Sequence, residues 1–410
     1  MKEPNENGDR LIGLAPLARM AFDGADLGPV KASLMDRLAR NETDADALMD
    51  LSTVLQLMGQ RQIGLSVQAL ALGIQQVYRL RSTADSPGVR LLAILSPGDL
   101  SENNALEFLI EGSDITLDML YLGPDLPLPA TLPDHDLAMV AVCETDRNRP
   151  LLRHIETLMR SWPRPVLCAA DRIARLSRDG ACQLLKSAPG MVVPVTTRID
   201  RPELEGVGSP ELAVSTLFKD HAFPIIARPV DSQKGHGLMK LDNPAALVSY
   251  LRTRPEDEFY VARYVEYRSP DGQFRKYRIV LIDGRPYACH MAISDHWVVH
   301  YISAGMPESG AKRTEEARFF AGFDDGFARR HRDALATIAK RLELEYVGID
   351  CGETPDGELL IFEVDSGMTV HAMDPVDIFP YKRPQMQKVF GAFRRMLMER
   401  CGYTSLAKLS

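Results

Sequence analysis

The sequence predicts an α/β (α+β) protein, helical at its N-terminus and then alternating strands with helices. Three observations carry this. Apolar residues recur at helical spacing through the first 85 residues, short β-branched runs alternate with helical stretches from 88 to about 170, and runs such as RKYRIVLI and ELLIFEVD dominate the rest. With 410 residues and 45% hydrophobic content, the chain can build two or three domains with real cores. A net charge of −8 argues against nucleic-acid or anionic-membrane binding. The cysteines at 143, 168, 182, 289, 351 and 401 form no CxxC pair, as expected of reduced thiols. The start, MKEPNENGDR, is polar with no secretory core, and no apolar run is long enough to span a bilayer. A cytoplasmic location is the expectation.

In order along the chain, residues 1–85 read as a helical module, with helices around Val30–Ala39, Ala45–Met58 and Gln62–Leu80. Leu48, Leu51, Leu55 and Met58 make one apolar stripe, and Asp44 is placed to cap the second helix. A joint at Gly59-Gln60, with Gly64 and Ala69 as close-packing positions, resembles a single tetratricopeptide-type hairpin. The stripe has two uses, the chain's own core or a second copy, so a homodimer stays open. Residues 88–165 read as a small α/β domain with a mostly parallel sheet. Its loops Ser96–Asn104 and Glu144–Arg149 lie at strand C-termini, where such sheets bind ligands, although connecting loops look the same. Ile173–Leu185 reads as a helix ending in QLL, and MVVPVTTRI follows it. Then FPIIARPVDSQKGHGLMKL gives strand, glycine loop and strand. It is not a Walker loop, since GxxxxGK followed by Ser or Thr is absent. Gly235 and Gly237 let backbone N–H groups approach a phosphate, and they serve an ordinary turn equally well.

The stretch YVGIDCGETPDGELLIFEVDSG reads as a hairpin. A turn centred on Asp356-Gly357 sets Asp350 opposite Glu363, with Asp365 on the same face. Three acids without a base on one face call for a cation such as Mg²⁺; the alternative is a solvated face. His290, His296 and His300 share parity and would line one strand as a metal cluster, except that Ser294-Asp295 reads as a break.

Taken together, PIIARPVDSQKGHG, VARYV, RIVLIDG and GID followed by FEVDSG resemble the ATP-grasp family of carboxylate-amine ligases, the glutathione synthetase-like fold. The resemblance spans about residues 165–390, and 88–165 matches the α/β domain that precedes that fold. It implies an ATP-grasp domain over 166–400 with a glycine-loop subdomain at about 190–265. It also implies that Arg178 and Arg228, where the family has lysines, reach phosphates, and that Lys234, Gly235 and Gly237 form a flap over them. Ala262, Tyr264 and Val265 would contact adenine, with Arg263 where the family carries a glutamate. Arg278 and His300 are the implied catalytic residues. Asp350, Glu363 and Asp365 are the implied ligands of one Mg²⁺ or a pair, Mn²⁺ being an acceptable substitute. The implied activity is ADP-forming: ATP phosphorylates a small-molecule or peptide carboxylate, and an amine then displaces phosphate. A small-molecule kinase of the same fold and an ATP-binding scaffold without catalysis are the alternatives.

Overall fold

The structure, a computed structural model, describes residues 10–82, 84, 88–207, 223–232, 235–301 and 303–402. It divides into two compact units, one holding the chain up to Ala174, Leu344–Val347 and the stretch from Asp365, the other Arg175–Glu343 and Gly348–Val364.

The first unit starts with α1 (Leu14–Phe22), α2 (Gly28–Arg40), α3 (Ala45–Leu57) and α4 (Arg61–Ile74). Asp44 caps α3, accepting from the Ala47 N–H at 2.9 Å, and it also pairs with Arg37. The chain reverses at Gly59 in the left-handed region, φ +79. Any side chain at Gly64 would meet the Ser52 carbonyl at 2.9 Å, so α3 and α4 pack closely there. The expected stripe turns inward. Leu51 and Leu55 join Leu17, Leu27 and Leu34 in the module's own core, and Met58 alone of the four stays exposed. Helices α3 and α4 thus form a closely packed helical hairpin.

The expected helix also stops short. Val77–Leu80 is strand β1, because a β-branched and aromatic pair gains a ladder antiparallel to β3. With β2 (Val89–Leu95), β3 (Ile115–Tyr121), β4 (Leu137–Val140) and β5 (Val166–Leu167), it forms a sheet of order β1-β3-β2-β4-β5, parallel apart from β1. Helices α5 (Leu106–Ile110), α6 (Arg149–Met159) and α7 (Ala170–Ile173) complete its connections. Apart from Arg90, every β2 residue is buried, the signature of a sheet covered on both faces.

The second unit opens with α8 (Arg178–Leu185), separate from α7, where one helix was expected. The break is Ser177, whose hydroxyl caps α8 by accepting from the Gly180 N–H. The stretch MVVPVTTRI forms two strands, β6 (Met191–Val192) and β7 (Thr196–Asp200), parted at Pro194, which cannot donate to a ladder. After α9 (Arg201–Val207) come β8 (Ile225–Pro229), β9 (Met239–Leu241), α10 (Pro244–Arg252) and β10 (Glu258–Arg263). They form an antiparallel sheet of order β7-β10-β8-β9 over a core of Ile225, Leu247, Tyr250 and Phe259.

Strands β11 (Phe274–Ile282) and β12 (Arg285–Ser294) follow, then α11 (Gly310–Ala321), a π-helical turn (Asp324–Ala328) and α12 (Arg332–Leu342). β12 ends at Ser294, so His296 and His300 share no strand face with His290. The hairpin strands β13 (Tyr346–Glu353) and β14 (Leu359–Asp365) complete a sheet of order β12-β11-β13-β14-β6. Its turn has three residues, 355–357, where two were expected. The Thr354 N–H donates to Glu358, the Gly357 N–H donates to Thr354, and Gly357 takes φ +82. Pro355 at the first turn position and a left-handed glycine at the third favour this loop. The last helix, α13 (Lys382–Arg400), returns to the first unit. Among the described residues no helix is long and apolar enough to cross a membrane.

Candidate functional site

The second unit gathers four basic side chains around two carboxylates. Lys276 and Arg278 alternate on β11 and so share one face, next to β13 in the sheet. Arg278 grips Asp350 with both arms, Nε to Oδ1 at 2.7 Å and a terminal nitrogen to Oδ2 at 3.0 Å. The Lys276 Nζ lies 3.0 Å from the same Oδ2. Burial alone would raise the Asp350 pKa, and the two cations, Arg278 foremost, hold it well below the usual carboxylate range. Burial likewise weakens the hold of Arg278 on its proton, and the Asp350 carboxylate more than reverses that.

Glu363, on β14, takes a terminal nitrogen of Arg178 at 2.5 Å. Arg178 is the first residue of α8, aimed by the Ser177 cap. Both carboxylates act on the same cation, since the charge of Glu363 also supports protonated Arg278. Arg228, on β8, is buried, and its hydrogen bonds run to the hydroxyl and carbonyl of Ser232, which are neutral. Burial first, then the charge of Arg178, depress its pKa to about 10. A buried guanidinium with neutral partners beside another arginine is an arrangement that favours an incoming anion.

His300 lies in the bend after β12. Burial pushes its pKa down, and Lys276 and Arg228 push the same way against Asp350, so the ring is neutral near pH 7. The glycine loop reaches this ring. Gly235 has φ +72, and a Cβ there would sit 2.6 Å from the His300 Nε2. Gly237, at φ +68, would bring a Cβ within 2.7 Å of Pro229, and its carbonyl accepts from the Tyr250 hydroxyl at 2.8 Å. Lys234 lies outside the described residues.

The expected adenine contacts sit where β10 leaves its sheet. Ala262 is within the ladder, opposite Ile226 and Thr196. The Tyr264 N–H donates to Pro224, and its ring carries the Lys240 ammonium 4.1 Å from the centroid with Trp297 edge-on at 5.9 Å. Val265 follows, half-buried.

Asp350 and Glu363 offer the hard oxygens that Mg²⁺ prefers, and one or two carboxylates suffice when phosphates supply the other ligands. In kind, therefore, they fit the ion. Asp365, the last residue of β14, belongs to the first unit and accepts from the Gly367 N–H at 2.8 Å. Among the described residues no group of three or more His, Cys, Asp or Glu side chains is placed to hold a metal. Lys276 escaped the sequence reading, although its i, i+2 spacing from Arg278 on a strand would have found it. In the stretch after the hairpin, Lys382 is buried on Asp374 at 3.2 Å, and His371 packs against Phe22 and Phe108.

No family model matches the chain, and no curated protein matches it. Solved structures similar to it include a D-alanine–D-alanine ligase from Bacillus anthracis complexed with ATP, at 16% identity and a TM-score of 0.45, covering 78% of this chain and 100% of that one. A RimK-domain ATP-grasp protein from Sphaerobacter thermophilus gives 18% and 0.42, covering 75% and 99%. The VanG D-Ala:D-Ser ligase from Enterococcus faecalis gives 16% and 0.44, covering 77% and 99%. All three are distant likenesses in sequence and in shape.

Proposed function

We propose that the chain is an ATP-dependent ligase of the ATP-grasp kind, which activates a carboxylate as its acyl phosphate and joins it to an amine with release of ADP and phosphate. The observation that carries this is buried Arg228, with its neutral partners and depressed pKa, beside Arg178 in a cluster where four basic residues face two carboxylates. The excess positive charge suits a polyphosphate.

Arg178 and Arg228 bind the phosphate chain, and Arg278 and Lys276, oriented by Asp350, neutralise charge developing on the transferred group. Mg²⁺ held by Asp350 and Glu363 would supply further charge neutralisation on the phosphates. Ala262, Tyr264 and Val265 line the adenine position. Gly235 and Gly237 belong to the flap, in which Gly235 meets His300 and which excludes water that would hydrolyse the acyl phosphate. His300, neutral, adds no charge and positions the flap. The carboxylate oxygen takes the γ-phosphoryl group from ATP. The amine nitrogen then attacks the acyl carbon, phosphate leaves and the amine's proton is lost, so no side-chain nucleophile is needed.

The test is ADP release across pools of carboxylates and amines, with mass spectrometry of the product. Release that needs both substrates, with an amide as product, supports the ligase; a stable phosphorylated product without amide supports a kinase. The clamp of Arg278 and Lys276 on Asp350 favours a second reading, a nucleotide-binding protein without turnover. Tight ATP binding with no ADP from any pool would establish that one.

A further inference from the structure

We propose that the first unit binds a small primary ammonium compound in a cavity between its N-terminal helices and its parallel sheet. The cavity has a volume of about 70 Å³ and shares no residue with the basic cluster of the second unit. Asp50 of α3, Gln68 of α4, Glu107 of α5 and Tyr121 of β3 line it, with Asn104 just before α5. Among the described residues no lysine, arginine or histidine does.

The hydrogen-bond inventory of that wall leaves groups over. Both Asp50 oxygens are taken, by the N–H groups of Ile12 at 2.7 Å and Gly13 at 3.0 Å. Glu107 accepts from the Ala15 N–H at 3.0 Å and is held by the Leu14 N–H as well. Asn104 spends its amide N–H on the Ser366 carbonyl at 2.6 Å, which leaves its side-chain oxygen. Tyr121 is 9% exposed, and its hydroxyl bonds no described residue. Burial and the charge of Glu107 both raise the Tyr121 pKa, so phenol and carboxylate are neighbours that are not bonded to each other.

Buried polar groups of this kind are ordinarily satisfied. One leftover acceptor and a hydroxyl beside the carboxyl groups of Asp50 and Glu107, with no basic side chain, select a cationic head carrying several N–H donors. Leu14, Leu117 and Met119 give the same cavity an apolar wall for a tail. The volume is well below the roughly 150 Å³ that holds a benzene ring, which limits that tail to a few carbons. An anion would find no counter-charge, and no group of three or more His, Cys, Asp or Glu side chains among the described residues is placed for a metal.

Occupancy has a route outward within the unit. Asn104 holds the Ser366 carbonyl, and α1, whose first turn borders the cavity, packs Ala15 on Met373 and donates from Arg19 to the Ala372 carbonyl. An ammonium bound here braces the 366–373 segment that follows β14.

Ethylammonium chloride is the probe, followed by isothermal titration and by thermal unfolding of the full chain, with ethanol and sodium chloride as controls. The expected result is saturable binding of ethylammonium alone, weakened about tenfold in Tyr121→Phe, the loss of one hydrogen bond to a charged ligand. Glu107→Gln should abolish it, but Glu107 also holds α1, so Tyr121→Phe is the deciding variant and Ala93→Leu, which fills the cavity, the second. No saturable binding, equal binding of ethanol, or wild-type affinity in both Tyr121→Phe and Ala93→Leu would overturn the proposal.

Discussion

Replacing Arg228 by methionine separates anion binding from stability. The side chain is buried, its hydrogen bonds go to neutral groups of Ser232, and its pKa is pushed down to about 10, well below the ordinary arginine range. The folded value lies below the unfolded one, so at every pH below about 10 folding penalises the charged form. At about 1.4 kcal/mol per unit the penalty is on the order of 3 kcal/mol. Methionine keeps the stem's packing and removes the charge, while Ser232 loses donors at a cost of about 1–2 kcal/mol. The ligand-free variant should therefore be as stable as the wild type, or more stable by up to about 2 kcal/mol. ATP affinity should fall by about ten- to a hundredfold, the worth of a charge-assisted hydrogen bond to phosphate. Urea unfolding and isothermal titration read the two effects separately. A variant that loses about 2 kcal/mol or more without ligand and still binds ATP like the wild type would refute the reasoning, since Arg228 would then be a structural residue.

Asp350→Asn leaves Arg278 and Lys276 without their shared carboxylate; breaking a buried pair of this kind costs about 3–5 kcal/mol, readable in urea, and ADP release should vanish with it. Gly235→Ala should raise the KM for ATP and cost about 1 kcal/mol from the positive φ, and His300→Ala in the same chain should restore part of the affinity by removing the atom the new Cβ meets. Burial raises the pKa values of Asp50 and Glu107 to about 7 each. The native chain keeps those protons where the unfolded chain has lost them, so stability should fall as pH rises from about 4 to about 7 and level off above, in urea titrations across that window. Stability that rises through the same window would show that neither acid titrates as its burial implies.

What the sequence showed was local. The Asp44 cap, helices α2, α3 and α4 of the N-terminal module and the acidic hairpin each depend on residues a few positions apart, and each can be read from spacing. Contacts made across long separations were not legible. The Gly235 contact with His300 joins residues 65 positions apart, and the Ile12 and Gly13 N–H groups leading into α1 and the Ala15 N–H of its first turn are satisfied by Asp50 and Glu107, from two other helices. The hairpin was found and its closure misplaced by one residue, because Pro355 and a left-handed Gly357 prefer a three-residue loop over the Asp-Gly turn. The three acids seemed to lack a counter-charge because Arg178, Lys276 and Arg278 reach Asp350 and Glu363 only once the strands and α8 are assembled.

The most direct test of the ligase reading is ADP release by the wild type and by Glu363→Gln, with carboxylate and amine pools supplied singly and together. The expected result is release only when both pools are present, an amide in the mass spectrum, and loss of turnover in Glu363→Gln with the fold intact. ADP release that ignores the amine, or undiminished turnover in Glu363→Gln, would contradict it.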